Sequence, residues 1–303
     1  MPSQFGREPV ANLARMTEAG ARGDAAQASP GAGPTPEEWL EACRRAVEVQ
    51  RRIFAEHRGI AVRTQYEGIG EGGDRTLVID RLCEDAIFAE LERLHRAGHE
   101  FTAVSEERGE VAFGDSGPRL IIDPIDGSLN ARRTIPLHSV SIAVATGNTM
   151  ADVILGYVYE FGAGEEFVAT RNGATLDGHP LRVSGGDGLE VIALEATKPE
   201  RVLRATELLQ GRVYRIRVPG SIAVALCYVA AGRYDGMITT RNSRSVDAAA
   251  GQLVARRAGA AVEFAGGSLE DATLDLTERY DVAAARTTGD LAVLREAQDA
   301  VHA

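Results

Sequence analysis

Apolar residues recur at helical spacing in "TPEEWLEACRRAVEVQRRIF", where Trp39, Leu40, Cys43, Val47 and Phe54 form one stripe. Thr35 is an N-cap by type, Pro36 suits the first helical position and Glu38 completes a capping box, so a helix is predicted to start there. A second amphipathic helix is predicted over "TLVIDRLCEDAIFAELERLHRAG", closed by Gly98, with Leu82, Ala86, Leu91 and Leu94 on its apolar side. Asp80 and Glu84 share a face of that helix, being four residues apart. The period then falls to two. "EFTAVSEERG" and "RLIIDPIDG" read as strands that end on acids, and "HSVSIAVAT", "VILGYVYE" and "EEFVATRNGATLDGHPLRVS" read as an antiparallel meander punctuated by Gly turns. After Ser184 strands and helices alternate: "VIALEAT", "PERVLRATELLQ", "VYRIRVP", "SIAVALCYVAAG", "DGMITT" and "SVDAAAGQLVARRAGA". These elements predict an α+β protein with an antiparallel-sheet lobe over residues 35–185 and a smaller α/β lobe over 186–303. No internal repeat is visible.

Composition changes this picture at the N-terminus. Residues 1–34 are rich in Gly, Ala, Pro and polar residues and read as a disordered leader. "YEGIGEGGD", residues 66–74, lacks a P-loop lysine and the dinucleotide-binding context, so a mobile loop or hairpin is the expectation and a dehydrogenase is the weakest reading. With 44% hydrophobic and 25% charged residues the 303-residue chain is of the soluble globular class. Its net charge of −11 makes it a poor general binder of nucleic acid or an anionic membrane. Cys43, Cys83 and Cys227 are too few and too scattered for a disulfide framework or zinc site, so free buried thiols in a reducing cytoplasm are expected. No apolar run is long enough to span a bilayer and no signal peptide is visible.

The candidate chemistry lies in the acids. Glu106 and Glu107, then Asp123 and Asp126, then Asp247 stand at element ends in three separate segments. Packed carboxylates are costly unless a cation neutralises them. Oxygen donors without His or Cys nearby favour a hard ion, with Mg²⁺ the first choice. For Asp247 alone, a helix N-cap is the plainer alternative. Asp123 and Asp126 can face one cavity if Pro124 fixes the bend between them. Gly127 and Ser128 offer backbone N–H groups to an anion, and Ser128 adds a hydroxyl. The set reads as metal-assisted hydrolysis of a phosphate ester, with two cations roughly 4 Å apart.

"DPIDGSLN" is similar to the DP(I/L)DGT-x-N signature of the inositol monophosphatase superfamily, "SEE" looks like its upstream acid segment, and "SVDAAAGQLVARRAGA" resembles its second signature. The resemblance covers about residues 36–303. It implies an αβαβα layered sandwich, a homodimer, two to three Mg²⁺ ions and a phosphorylated small-molecule substrate. It implies that Glu106 and Asp123, with the Ile125 carbonyl, bind one ion, that Asp123, Asp126 and Asp247 bind a second, and that Ser128, held by Asp80, activates the attacking water. The backbone of Gly127 and Ser128 would hold the phosphate, with Ser221, Arg133 and Arg241 on the substrate. Ser128 stands where the family has Thr, Ala131 where it has an aromatic residue and Val246 where it has Trp. The position of an acid that contacts inositol hydroxyls in the animal enzymes falls near Thr240 here, beside Arg241, so that acid is missing. "LNARRTIPLHSVSIAVA", "GYVYE" and "RVPGSIAVALCYVAAGRYDG" resemble the archaeal-type branch, which implies action on inositol monophosphate and fructose 1,6-bisphosphate.

Arg132, Arg133, Arg217, Arg241 and Arg244 gather near the expected site; an arginine fork suits a second phosphate, although solvated charge is the plainer reading of any one of them. His138 is expected to be a packed, hydrogen-bonded histidine, and Tyr157 and Tyr159 strand core or cavity wall. The other readings are a 3′-phosphoadenosine 5′-phosphate phosphatase and a non-catalytic, phosphate-binding regulatory protein of the same fold.

Overall fold

The computed structural model describes residues 33–69, 75–184, 186, 188–195, 198–240, 243–264 and 268–302. The expected leader lies outside the described residues up to 32, whereas Pro34 is already buried.

Thr35 and Glu38 form the anticipated capping box at the start of α1 (Pro36–Glu56), and Trp39, Cys43, Val47 and Phe54 are buried along its inner face. A short helix α2 (Ile60–Arg63) leads into a hairpin of β1 (Tyr66–Ile69) and β2 (Arg75–Leu77), whose connecting residues lie outside the described set. α3 (Val78–Arg96) follows and packs beside α1. Next come β3 (Phe101–Ser105), β4 (Gly109–Phe113), β5 (Arg119–Asp126), a six-residue helix α4 (Ser128–Arg133), β6 (Ser139–Ala145), β7 (Val153–Glu160), β8 (Glu165–Thr170), β9 (Gly173–Leu176) and β10 (His179–Leu181). These strands from β3 onward make one eight-stranded sheet in the order β10-β9-β8-β7-β6-β5-β3-β4. All its pairs are antiparallel except β3–β5, which run parallel because β4 returns outside β3 before the chain enters β5.

The chain then builds β11 (Leu189–Glu195), α5 (Pro199–Leu209), β12 (Val213–Arg217), α6 (Ile222–Ala230), β13 (Gly236–Thr239), α7 (Ser245–Ala258), β14 (Ala261–Phe264), β15 (Val282–Ala285) and α8 (Thr288–His302). Five strands pair in the order β12-β11-β13-β15-β14, parallel on the β12 side and antiparallel on the β14 side.

Strand alternation assigns the layers. On β5, Leu120 and Ile122 point to α1 and α3, joining Trp39, Val47, Phe88 and Leu91 in one core. Ile121 points the other way, into a core built from Leu226, Val246, Ala249 and Leu253 of α6 and α7. That core also takes Ala193 and Met237 from the smaller sheet, while Ile192, Leu194 and Ile238 face Leu209 of α5 and Leu294 of α8. The result is the αβαβα sandwich, with α6 and α7 as its middle layer. Small residues permit that close stacking. A Cβ on Gly156 of β7 would come 2.6 Å from the Ala250 carbonyl oxygen of α7. All three cysteines are buried and free. Among the described residues no helix is long and apolar enough to cross a membrane.

Candidate active site

Strict alternation would send Asp123 and Asp126, three residues apart, to opposite faces of β5. The register with β6 slips between them: Asp123 pairs with Ser141 and Asp126 with Ser139, two β6 residues facing a three-residue step. Pro124 sits in that bulge, where its missing N–H costs no ladder bond. The bulge turns both carboxylates inward, where Asp123 is 2% and Asp126 4% exposed. Asp123 Oδ1 accepts the Ile125 N–H at 3.0 Å, and Gln50 Nε2 of α1 donates to the Pro124 carbonyl at 3.4 Å.

The third acid arrives on α7. Asp247 is not the N-cap that its position suggests. Arg244 holds that place, and Asp247 stands in the first turn, its Oδ2 accepting the Arg244 N–H at 3.0 Å. The carboxylate reaches back to the cap because an acid at the third helical position can satisfy that orphan donor. Oxygens of Asp123, Asp126 and Asp247 lie within 4.8 Å of one another, and all three residues are buried.

Burial raises the Asp123 carboxyl well above its usual range, with Asp126 and Asp247 adding to the effect. Burial, then Asp247, pushes Asp126 up to about 7, against hydrogen bonds that pull it down. Those bonds come from the start of α6: Ser221 Oγ at 2.5 Å, Ala223 N–H at 2.7 Å and Ile222 N–H at 3.4 Å. The positive end of the helix thus offsets part of the repulsion. What remains is a buried, oxygen-only donor set, the chemistry that fits a hard divalent cation.

The remaining expected residues divide. Glu106 is paired with the Arg244 guanidinium, outside the three-carboxylate group. Ser128 Oγ donates to the Ile125 carbonyl at 2.8 Å, the nearest acceptor within its own turn, and is not held by Asp80. Asp80, buried in the first turn of α3, accepts the Leu77 N–H through Oδ2, while its Oδ1 has no protein partner. Burial, with Glu107 nearby, pushes the Asp80 carboxyl up to about 7. Gly127 takes the left-handed conformation, φ 88°, that opens α4. Ser221 is buried with its hydroxyl on Asp126 and serves as the N-cap of α6, accepting the Val224 N–H. Arg133 is exposed at the end of α4, and Arg241 lies outside the described residues. His138 packs against Phe54 and Phe161, and burial lowers its pKa to about 4. Tyr157 is strand core and Tyr159 half-buried.

Four supporting contacts escape a reading of the sequence, which names Arg244 but not its partner. Gln50 holds the bulge carbonyl. Glu195 Oε1 accepts the N–H groups of Gly220 and Ser221 and so fixes the turn that feeds Asp126. Arg63 donates to the carbonyls of His57, Ala131 and Phe54, tying α4 to the end of α1. Arg244 takes Glu106. Only Ser221 carried a local signal for its structural role, a serine just before an apolar helical run.

The model of the Inositol monophosphatase family matches residues 36–302. A protein of Archaeoglobus fulgidus named fructose-1,6-bisphosphatase/inositol-1-monophosphatase is 33% identical over 252 residues, covering 80% of this chain and 94% of that one. The Nus factor SuhB of Escherichia coli K12 is 35% identical over 199 residues, 62% of this chain and 72% of its own. A solved structure titled as an inositol monophosphatase-fructose 1,6 bisphosphatase superposes with a TM-score of 0.74 at 26% identity, covering 86% of this chain and 99% of that one. Fold, site and relatives together define a phosphoric monoester hydrolase. The chain belongs to the inositol monophosphatase family, and its likeness extends to the archaeal-type branch whose members are named for two phosphatase activities.

Proposed function

We propose that the chain is a Mg²⁺-dependent phosphatase that hydrolyses a sugar or inositol phosphate monoester, inositol 1-phosphate and fructose 1,6-bisphosphate being the substrates of choice. The observation that carries this reading is the convergence of Asp123, Asp126 and Asp247 in a buried, oxygen-only group. These three, with the Ile125 carbonyl and Glu106, would hold two to three cations. When bound, the cations supply charge neutralisation at the phosphoryl oxygens and acidify water. The backbone N–H groups of Gly127 and Ser128 orient the phosphate. Ser128 Oγ accepts the proton of the attacking water as it turns from the Ile125 carbonyl, and Asp80, whose carboxyl sits up at about 7 and which adds to the rise of the Asp123 carboxyl, is the acid that can take a proton onward at neutral pH. Water adds its oxygen to phosphorus, the ester P–O bond breaks, and the alcohol leaves with a proton.

Purified protein given inositol 1-phosphate, fructose 1,6-bisphosphate or 3′-phosphoadenosine 5′-phosphate is expected to release phosphate from the first two with Mg²⁺ and from none with chelator. Release from the nucleotide alone would favour the alternative phosphatase; no metal-dependent release from any would sink the substrate reading. The non-catalytic alternative retains only the likeness to the Nus factor, since Glu106, Asp123, Asp126 and Asp247 are all present.

Arg241 and the exposed Arg133 are proposed to meet the distal phosphate of the bisphosphate. Arg133→Ala and Arg241→Ala are each expected to lower kcat/KM for fructose 1,6-bisphosphate about tenfold more than for inositol 1-phosphate, the scale of one charge-assisted contact. Equal losses on both substrates would remove them from the distal site. The homodimer is proposed from the family resemblance and a cytoplasmic location from the three free, buried cysteines, and light scattering on the purified chain tests the dimer.

A further inference from the structure

Arg63 closes the short helix α2 and is only 8% exposed. Its guanidinium pairs with no carboxylate among the described residues. It donates instead to three backbone carbonyls: through Nε to His57 at 2.6 Å, through Nη1 to Ala131 at 2.7 Å and through Nη2 to Phe54 at 3.0 Å. Phe54 and His57 stand at the end of α1 and Ala131 in the last turn of α4, where carbonyls lack their regular helical partners and carry the negative end of the dipole. One planar fork thus joins the ends of two helices. Packing alone does not call for an arginine here, because apolar residues of similar volume often serve a buried site as well as a charge does.

Ala131 is fully buried beside Ile79 and Cys83 of α3, in a small core that also holds Phe54 and Ile125. Ser128 lies one turn earlier on α4, three residues away, so holding the Ala131 carbonyl limits how far Ser128 can roll or shift. Two residues past Arg63, the Gln65 carbonyl accepts the Val78 N–H at 2.9 Å and ties the same stretch to the first turn of α3, where Asp80 stands. With six residues and no side-chain cap at its start, α4 is too short to hold its place unaided. We propose that Arg63 is a positioning residue for turnover: it fixes α4 against α1 and α3 and so sets where the Ser128 hydroxyl stands relative to Asp80, a role that rests on the proton route proposed above.

Steady-state kinetics of the full chain on the better of its two substrates, at saturating Mg²⁺, test this. Arg63→Met, which keeps the stem and loses the fork, is expected to lower kcat about thirtyfold and to leave KM within about twofold, the scale of one hydrogen bond from a charged donor. Arg63→Lys, a point charge that cannot span three carbonyls, is expected to lose about tenfold. Ser128→Ala is expected to lower kcat as well, and adding Arg63→Met to it is expected to change nothing further, because the group being positioned is gone. Phe54→Leu is the structural control. It loses the ring whose centre lies 5.1 Å from the guanidinium carbon but keeps the carbonyl, and it is expected to lower Tm while leaving kcat unchanged. Losses that multiply in the double variant, a folded Arg63→Met or Arg63→Lys variant with normal kcat, or an equal kcat loss in Phe54→Leu would each overturn the positioning role. Full turnover by Ser128→Ala would overturn the proton route instead, and an unaltered chain with no Mg²⁺-dependent turnover of either substrate would overturn the phosphatase reading, results distinct from the other three.

Discussion

Asp123→Asn is expected to lower turnover roughly 10³-fold, the equivalent of about 4 kcal/mol of lost charge stabilisation, while raising the Tm of the cation-free protein at pH 8. The two effects have one cause. Asp123 is the most crowded member of the group, its carboxyl raised by burial and then by Asp126 and Asp247. Removing its charge relieves a repulsion that the folded chain tolerates only because a cation is to be bound there. The amide keeps the shape and can still accept the Ile125 N–H that Asp123 Oδ1 now accepts. The variant is also expected to lose the rise in Tm that Mg²⁺ gives the unaltered chain. Near-normal turnover, or a lower cation-free Tm in a correctly folded variant, would remove Asp123 from the metal site.

The same group sets a pH dependence of known sign. Asp126 and Asp80 titrate at about 7 when folded, and an unfolded aspartate near 4. The folded chain therefore holds protons that the unfolded chain has lost. The stability this provides is complete below about pH 4 and disappears as pH rises through about 7. His138 acts oppositely, since its folded pKa falls to about 4: it favours the folded chain above about pH 6.5, and that contribution is lost as pH drops below it. Between pH 8 and 6.5 the two carboxylates gain more than His138 loses, since the histidine is only half-charged in the unfolded chain at pH 6.5. Scanning calorimetry in chelator is expected to show a higher Tm at pH 6.5 than at pH 8, and Mg²⁺ is expected to raise Tm more at pH 8, where fewer protons must be expelled.

How far the sequence carries depends on how far apart the partners are. The Thr35–Glu38 capping box, the strand ending at Asp126 and the acid in the first turn of α7 are written in windows of a few residues, and all are present in the fold. The alternation of strands and helices after Ser184 likewise reports the smaller sheet and its flanking helices, because each element carries its own period. The partners of the charged groups are different. Arg244 meets Glu106, and Ser221 and Ala223 meet Asp126 across 95 and 97 residues, through the stacking of two sheets on one helical layer. No local pattern specifies such contacts. The bulge at Pro124 lies between these cases. The proline marks an irregular place, but only the slipped pairing with β6 shows that the irregularity aligns two acids that alternation would separate.

Gly127→Ala is expected to destabilise the protein by about 3 kcal/mol, roughly 5 °C in Tm for a chain of this length, and to abolish most activity. Gly127 has φ 88°, where an added Cβ costs about 1–2 kcal/mol by itself. The surroundings then add to the strain. A Cβ would lie 2.9 Å from the Leu137 carbonyl oxygen, 3.1 Å from the Gly220 carbonyl oxygen and 3.3 Å from Ser221 Cβ. Both oxygens are backbone atoms, with no flexible side chain to give way, and the Leu137 carbonyl is held further by Asn130 Nδ2 at 2.7 Å. Relief must come from a shift of Gly127 itself, which tilts the Ser128 N–H and pulls on the neighbouring Asp126. Gly98→Ala separates backbone strain from crowding. Its φ is 99°, yet nothing lies within 4 Å of the added carbon, so it is expected to lose only about 1 kcal/mol and to keep its activity. If both substitutions cost the same stability, crowding against Leu137 and Gly220 contributes nothing. If Gly127→Ala retains full turnover, the amides it presents do not orient the phosphate.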